Sequence, residues 1–164
     1  MNKYKLLIII CFLILTFHLP IATAKVGELN LLGKVFVLDA GHGGSDSGAQ
    51  SGQIIEKELN LILVKKLEKE LTTRGAVVYL TREEDNDLSI KTTYRKRSDL
   101  YNRAKYINTI KPDMYISIHL NSTTSKTWKG LEVFYTNKNI ENKEIANQIT
   151  NDLKKNIKNV REIK

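Results

Sequence analysis

Short apolar segments alternate with amphipathic segments along most of this chain. This alternation restricts the folds that the chain can adopt. Strands separated by helices favour an α/β domain with a largely parallel sheet. The sequence shows no internal repeat and no linker, so we expect a single domain with a central, mostly parallel or mixed sheet flanked by helices. The strands are predicted at Val35–Asp39, Ala76–Thr81, Met114–Leu120 and Leu131–Thr136, and the helices at Glu56–Arg74, Tyr94–Ile110 and Glu141–Ile157.

The helix predicted from Glu56 to Arg74 has apolar residues at three- and four-residue steps, which predicts that one of its faces is buried. These residues are Leu59, Ile62, Leu63, Leu67 and Leu71. Gly75 follows directly and is expected to end the helix as a C′ residue.

Residues 1–24 have the pattern of a secretory signal peptide. Two lysines near the start are followed by an apolar run from Leu6 to Phe17, and Ala22-Thr23-Ala24 matches a small-residue cleavage site. The run is shorter than the roughly 20 apolar residues of a membrane span. The alternative is an uncleaved N-terminal anchor, which would attach the protein to the membrane. Both interpretations predict a domain that works outside the cytoplasm.

The composition excludes several kinds of site. The formal net charge is +8, mostly from scattered lysines, whereas nucleic-acid binders cluster their basic residues on one face. No nucleic-acid partner is therefore expected. Cys11 is the only cysteine and lies in the apolar leader, so the mature domain has neither a disulfide nor a thiolate metal site. A metal would have to be bound by His, Asp or Glu.

Two histidines follow predicted strands, His42 after the first and His119 at the end of a later one. Functional sites of α/β sheets gather beyond the carboxyl ends of the strands, so these side chains could converge. Two imidazoles and a carboxylate with one open position make a catalytic zinc site. The candidate carboxylate is Glu56, which opens the first predicted helix 14 residues after His42 and has Glu58 close by. The alternatives are a turn residue for His42, a strand-end residue for His119 and a favourable helix-start charge for Glu56.

Five motifs occur in a fixed order: "LDAGHGGSDSGA", "EKELNL", "YLTREED", "DLYNRAKYIN" and "DMYISIHLNS". In these motifs the chain resembles the zinc-dependent N-acetylmuramoyl-L-alanine amidases of the amidase 3 type, especially the spore-cortex, germination-specific members. The resemblance implies one Zn²⁺ per chain, with ligands His42, Glu56 and His119. It also implies hydrolysis of the amide between N-acetylmuramic acid and L-alanine in peptidoglycan, with the open metal position serving the reaction.

The resemblance also draws attention to four other residues. Asn121 matches a family position that orients the site or the substrate, although a strand-end turn would explain it equally. Arg82 and Arg103 match family arginines, and a structural ion pair is favoured over substrate contact for each. Glu132 matches a recurrent acid and either faces the cleft or lies on the polar face of an edge strand.

The family pattern continues past Lys164 with a further strand and a glutamate that acts as general acid/base. By the resemblance, residues 34–164 are a C-terminally incomplete catalytic domain, with the last strand and helix absent and Glu132 the only weak substitute for that glutamate. One alternative is a zinc-binding, catalytically impaired peptidoglycan-binding remnant. Another is a zinc hydrolase of similar architecture, such as an exopeptidase. The sequence is compatible with a protein activator, but no motif in it identifies one.

Overall fold

The computed structural model describes residues 29–90, 93–120 and 130–164, which form two compact units that divide after Leu120. The segment predicted as a signal peptide lies outside the described residues. Among the residues that are described, no helix is long and apolar enough to cross a membrane. The first unit contains the sheet and both of the histidines singled out from the sequence.

Three parallel strands form the sheet of the first unit. In chain order this unit contains β1 (Val35–Ala40), β2 (Gln50–Ser51), β3 (Ile54–Ile55), α1 (Glu56–Thr73), β4 (Val77–Leu80), α2 (Arg95–Ile110) and β5 (Met114–Ile118). β1 lies in the middle of the sheet, between β4 and β5. Leu38 of β1 is in register with Leu80 on one side and with Ile116 on the other. The predicted α/β fold with a parallel central sheet is confirmed.

The core lies between α1 and one face of the sheet. Leu38 and Ala40 of β1 and Val64 of α1 are fully buried there. Partly buried apolar residues surround them: Leu61, Leu67, Leu71, Val78, Leu80, Ile116 and Ile118. The predicted inner face of α1 was partly wrong, because Ile62 is 50% and Leu63 is 44% exposed. The helix is rotated so that Val64 and the polar Asn60 face the sheet instead.

The end of α1 is a Schellman motif, as Gly75 predicted. The Gly75 N–H donates to Thr72 O (3.0 Å) and the Ala76 N–H donates to Leu71 O (3.1 Å). Gly75 has a φ of +90°, which a residue with a Cβ rarely adopts. The chain therefore reverses within three residues and enters β4 directly.

A short antiparallel hairpin, formed by β2 and β3, lies in the loop between β1 and α1. Gln50 pairs with Ile55, and Ser51 pairs with Ile54. The Glu56 N–H then donates to Ala49 O (2.9 Å). The hairpin thereby fixes the point at which α1 begins, and Glu56 is the first residue of the helix.

Helix α2 confirms the prediction from the sequence to within one residue. It begins at Arg95 and ends at Ile110, and the next residue, Lys111, has a φ of +52° that turns the chain before Pro112. Its buried residues are both charged, Asp99 and Arg103. The side of α2 that faces inward is therefore held by ion pairs and hydrogen bonds, not by an apolar stripe.

The second unit contains α3 (Ile140–Asn156), close to the predicted helix. Asn139 caps it by accepting a hydrogen bond from the Glu141 N–H (3.1 Å). The predicted strand Leu131–Thr136 was wrong: the described part of this unit has a single parallel bridge, between Leu131 and Val160. Past that bridge the pairing is irregular, since Lys164 bonds to both Val133 and Tyr135, and no regular ladder forms.

Candidate metal centre

His42 lies in the turn that follows β1, with a left-handed backbone (φ +63°) that is uncommon outside glycine. Gly41 precedes it, and a Cβ at position 41 would overlap the imidazole of His119. Gly48 approaches from the other side, where a Cβ would lie 2.6 Å from His42 Cδ2 and 2.8 Å from Glu56 Oε2. Gly41 and Gly48 are therefore needed because the backbone passes directly against the candidate ligands at these two positions.

Side chains from three elements hold the backbone of this turn. Arg82 donates to the carbonyl oxygens of Ala40 (2.9 Å) and Gly41 (3.2 Å). Asn60 of α1 also donates to Gly41 O (3.1 Å). Arg103 of α2 donates to the carbonyl oxygens of Ala40 (2.9 Å) and His42 (2.7 Å). These bonds compensate for the unusual backbone of the turn and set the direction of the His42 side chain.

Glu56, at the start of α1, is almost fully buried and is held on both carboxylate oxygens. Oε2 accepts a hydrogen bond from the Ala49 N–H (2.8 Å), and Oε1 accepts one from the Leu120 N–H (2.8 Å). Burial alone would raise the pKa of Glu56. The two backbone donors and the adjacent His42 and His119 outweigh it and hold this pKa below its usual range. The carboxylate is therefore fixed in its charged, metal-binding form.

His42, Glu56 and His119 bring three potential ligand atoms together. His42 Nε2 lies 3.1 Å from Glu56 Oε1, His119 Nδ1 lies 3.2 Å from the same oxygen, and the two nitrogens are 3.2 Å apart. Ligand atoms about 2.0–2.1 Å from a tetrahedral zinc ion are roughly 3.3 Å from one another. The nearly equilateral triangle fits that requirement. The side chain of His119 is 43% exposed, which leaves this side of the triangle open to solvent.

Asp46, which the sequence analysis did not single out, lies behind His42. Its Oδ2 is 3.0 Å from His42 Nδ1, and its Oδ1 accepts a hydrogen bond from the Gly48 N–H (3.3 Å). Burial would raise the pKa of Asp46, but the hydrogen bonds and charge of His42, Gly48 and Lys96 lower it to about 2. An ionised carboxylate on Nδ1 favours the tautomer whose Nε2 lone pair faces Glu56 and His119. The one sequence signal that could have identified Asp46 is its position four residues after His42.

A buried polar network joins β1 to α2 below the turn. Arg103 forms ion pairs with Asp39 (2.6 Å) and Asp99 (2.8 Å), so the structural role predicted for Arg103 is confirmed. Asp39 also accepts hydrogen bonds from Thr81 (2.7 Å) and Ser117 (2.7 Å), residues that follow β4 and lie in β5. Burial opposes the charge of Asp39, but these donors and Arg103 prevail and lower its pKa.

The remaining predicted site residues are less informative. Arg82 is 3% exposed, and its hydrogen bonds go to backbone carbonyls. The ion pair predicted for Arg82 does not form among the described residues, and the side chain instead holds the β1 turn in place. Substrate contact by Arg82 stays a prediction. Asn121 lies outside the described residues. Glu132, in the second unit, has a side chain that is 5% exposed and pairs with Arg161 (2.8 Å) and Lys164 (2.7 Å). An acid/base role for Glu132 stays a prediction.

The sequence motifs, the fold and the His-Glu-His cluster agree with the proteins that this chain resembles. Residues 36–164 match the N-acetylmuramoyl-L-alanine amidase family. A germination-specific N-acetylmuramoyl-L-alanine amidase of Bacillus subtilis is 41% identical over 139 residues. That match covers 82% of this chain and 59% of the relative; the endolysin of Bacillus phage SPP1 is 40% identical, with 34% of its length covered. The chain thus spans less than two thirds of the length of each of these relatives.

Solved structures agree with the sequence matches. The CwlD amidase of Clostridioides difficile, in complex with the GerS lipoprotein, superposes with a TM-score of 0.74 at 34% identity, covering 79% of this chain and 71% of that one. The amidase AmiC2 of Nostoc punctiforme superposes with a TM-score of 0.64 at 27% identity, covering 79% and 66%. Since both the sequence and the fold match over most of its length, the chain belongs to the N-acetylmuramoyl-L-alanine amidase family.

Proposed function

We propose that this protein is a zinc-dependent amidase that cleaves peptidoglycan between the lactyl group of N-acetylmuramic acid and the L-alanine of the stem peptide. The observation that carries the proposal is the triangle of His42 Nε2, Glu56 Oε1 and His119 Nδ1, whose edges are 3.1–3.2 Å. Similarity to germination-specific and cell-wall amidases supports the substrate class. The biological setting in this proposal is remodelling of the cell wall or spore cortex.

One Zn²⁺ held by these three side chains would act as a Lewis acid on the scissile carbonyl and lower the pKa of a water in the open position. The chain's own residues prepare that position. Asp46 keeps Nδ1 of His42 engaged, so Nε2 is free for the metal. Glu56 supplies a buried negative charge. This charge would make the site bind a divalent cation more tightly than a site built from neutral ligands alone. The exposed side of His119 is the side from which we propose the polymer approaches.

The place of action in this proposal is outside the cytoplasm, where peptidoglycan lies. Residues 1–24 would serve as a secretory signal or, if uncleaved, as a membrane anchor. The CwlD amidase structure contains a lipoprotein partner, and we extend that possibility of a protein partner to this chain. N-terminal sequencing of the exported protein distinguishes cleavage after Ala24 from retention of the leader.

The test measures zinc content and amide hydrolysis on the same protein preparations. The parent is expected to hold one zinc per chain and to release new L-alanine amino termini from purified peptidoglycan. His42→Ala, His119→Ala and Glu56→Gln are expected to lose zinc and to lower the rate by about 10²-fold or more. Glu58→Gln is the matched control, because Glu58 is an exposed carboxylate in the same helical turn as Glu56.

Two results would count against the proposal. Unchanged zinc content in both histidine variants would remove the ligand assignment. Full zinc occupancy in a parent that releases no L-alanine termini would instead favour a zinc-binding protein that binds peptidoglycan without cleaving it.

A further inference from the structure

One backbone donor in the turn after β1 has no acceptor in the described part of the chain. Most N–H groups of this turn and the loop that follows donate a hydrogen bond: those of Gly41, Gly43, Gly44, Asp46, Gly48 and Ala49. The His42 N–H has no acceptor among the described residues. Ser45 and Ser47 are the other two such residues between Gly41 and Ala49. An N–H group without a protein partner is available to a ligand.

The peptide unit that carries the His42 N–H is held by its carbonyl. Gly41 O accepts hydrogen bonds from Asn60 Nδ2 (3.1 Å) and Arg82 Nη2 (3.2 Å). Both of these side chains are buried, and Arg82 brings a positive charge. Donors on a carbonyl oxygen polarise the peptide group, so the N–H at its other end becomes a stronger donor. The His42 N–H is therefore prepared to donate.

The orientation of this peptide directs the N–H toward the candidate metal centre. Arg82 follows β4 on one side of β1, whereas β5, which His119 follows, lies on the other side. In a trans peptide the N–H points away from the C=O. Since Gly41 O is directed at Arg82, the His42 N–H points to the side of β5. A Cβ on Gly41 would lie 2.6 Å from His119 Nδ1, so the His42 nitrogen is within about 7 Å of that atom.

From these observations we propose that the His42 main-chain N–H binds the carbonyl oxygen of the scissile amide. It would stabilise the negative charge that develops on this oxygen when water adds to the carbonyl carbon. A donor that is already oriented toward such a charge needs no reorganisation during the reaction. His42 would then serve the site twice, with its imidazole as a ligand and with its main chain as a catalytic donor. This inference rests on the proposed function, because it takes the scissile amide from that reaction.

Nuclear magnetic resonance tests the contact directly. The probe is a phosphinate analogue of N-acetylmuramoyl-L-alanine, in which tetrahedral phosphorus replaces the scissile carbonyl carbon. It is added to the zinc-loaded full chain labelled with ¹⁵N. We expect a downfield shift of the His42 amide proton and a scalar coupling between its nitrogen and the phosphorus across the hydrogen bond.

The Ser45 amide is the matched control for this measurement. Its N–H also lacks an acceptor among the described residues, and the carbonyl of its peptide, Gly44 O, accepts a hydrogen bond from Lys57 (2.9 Å). Ser45 is exposed and contacts no candidate ligand. We therefore expect its resonance to stay unchanged when the analogue binds.

Replacing the His42 N–H by an ester oxygen measures the catalytic effect. The change removes the donor and keeps the imidazole. We expect kcat for the release of L-alanine termini to fall roughly 10²-fold, the usual effect of removing one such donor. Zinc content and KM should change little, and the same ester at Ser45 should leave all three unchanged. The spectroscopic measurement uses the unmodified protein, so it decides the question even where the ester disturbs the turn.

Three results would overturn the inference. The analogue could bind the zinc-loaded protein without shifting the His42 amide, or the ester at His42 could retain the parent's kcat; either result would leave the proposed function intact. An equal shift at Ser45 without phosphorus coupling at His42 would show a general change in the turn instead of a contact. A parent that neither binds the analogue nor cleaves peptidoglycan would overturn the proposed function, and the inference with it.

Discussion

At the scale of single residues, Asp46 shows how a candidate ligand is prepared for metal. His42 reaches the triangle through Nε2, and its other ring nitrogen is engaged by Asp46 at 3.0 Å. Asp46→Asn keeps the size of the side chain but removes the charge that favours the Nδ1–H tautomer. We expect zinc affinity to fall about 10- to 100-fold, the usual effect of losing such a partner. Competition with a chelating dye measures the affinity directly.

The control for this prediction is Asp85→Asn. Asp85 is a nearby loop carboxylate that accepts from the Gly44 N–H and pairs with Lys57, without contact to a candidate ligand. The Asp85→Asn protein is expected to bind zinc with the same affinity as the parent. An Asp46→Asn protein with the parent's zinc affinity would show that the turn alone orients His42.

Gly41 gives a second prediction at this scale. A methyl group at position 41 would overlap the His119 ring, so Gly41→Ala must displace either the β1 turn or the end of β5. We expect zinc binding to be lost while the secondary structure remains, as measured by metal analysis and circular dichroism. Gly52→Asn is the comparison, because the space around Gly52 is open and Asn tolerates its positive φ of +59°. Equal zinc content in the two variants would contradict the close-contact argument.

At the scale of elements, the joint between β1 and α2 depends on charge. Asp39 and Arg103 are buried together, and the pKa of Asp39 lies below its ordinary value. A carboxyl group with a lowered pKa stabilises the fold above the pKa of the unfolded chain, about 3.9. That contribution is lost as the pH falls through the folded-state pKa. The decrease in the free energy of unfolding at acid pH should therefore depend on Asp39.

Asp39→Asn tests this joint. The variant leaves the Arg103 charge with less compensation, and we expect a loss of about 3 kcal/mol in the free energy of unfolding at pH 7. As the pH falls from about 4 through the folded-state pKa of Asp39, the difference from the parent should shrink, because the parent loses the stabilisation that its charged carboxylate provides. Urea denaturation at a series of pH values measures both effects. Asp152→Asn, at an exposed ion pair with Lys155, should change little at any pH.

The elements also show where sequence reasoning succeeds and where it stops. The ends of α1 and α2 follow from local signals, such as Gly75 after the last turn and Pro112 after Lys111, so they were predictable. The buried face of α1 was not, because apolar residues surround much of this helix and only the packed sheet selects Val64 over Ile62 and Leu63. The segment Leu131–Thr136 has strand-like composition, but a strand also needs a regularly paired partner.

At the scale of the whole molecule, convergence of His42 and His119 followed from one rule about parallel sheets. The side chains that hold the β1 turn could not be predicted in this way. Asn60, Arg82 and Arg103 donate hydrogen bonds to backbone carbonyls of that turn. Such partners leave no pattern in the sequence, since any carbonyl can accept. Family resemblance identified the two arginines as positions of interest, and only coordinates show what they contact.

Metal binding should stabilise the fold as a whole, since the three candidate ligands come from the turn after β1, the start of α1 and the end of β5. An ion that binds only the folded chain adds about 2.7 kcal/mol when its free concentration is 100 times Kd. Stripping zinc with a chelator is therefore expected to lower Tm by several degrees, and zinc but not magnesium should restore it. In His119→Ala, added zinc should leave Tm unchanged, because only two of the three ligands remain and the ion is no longer held. A zinc-dependent rise of the same size in that variant would place the stabilising ion elsewhere on the protein.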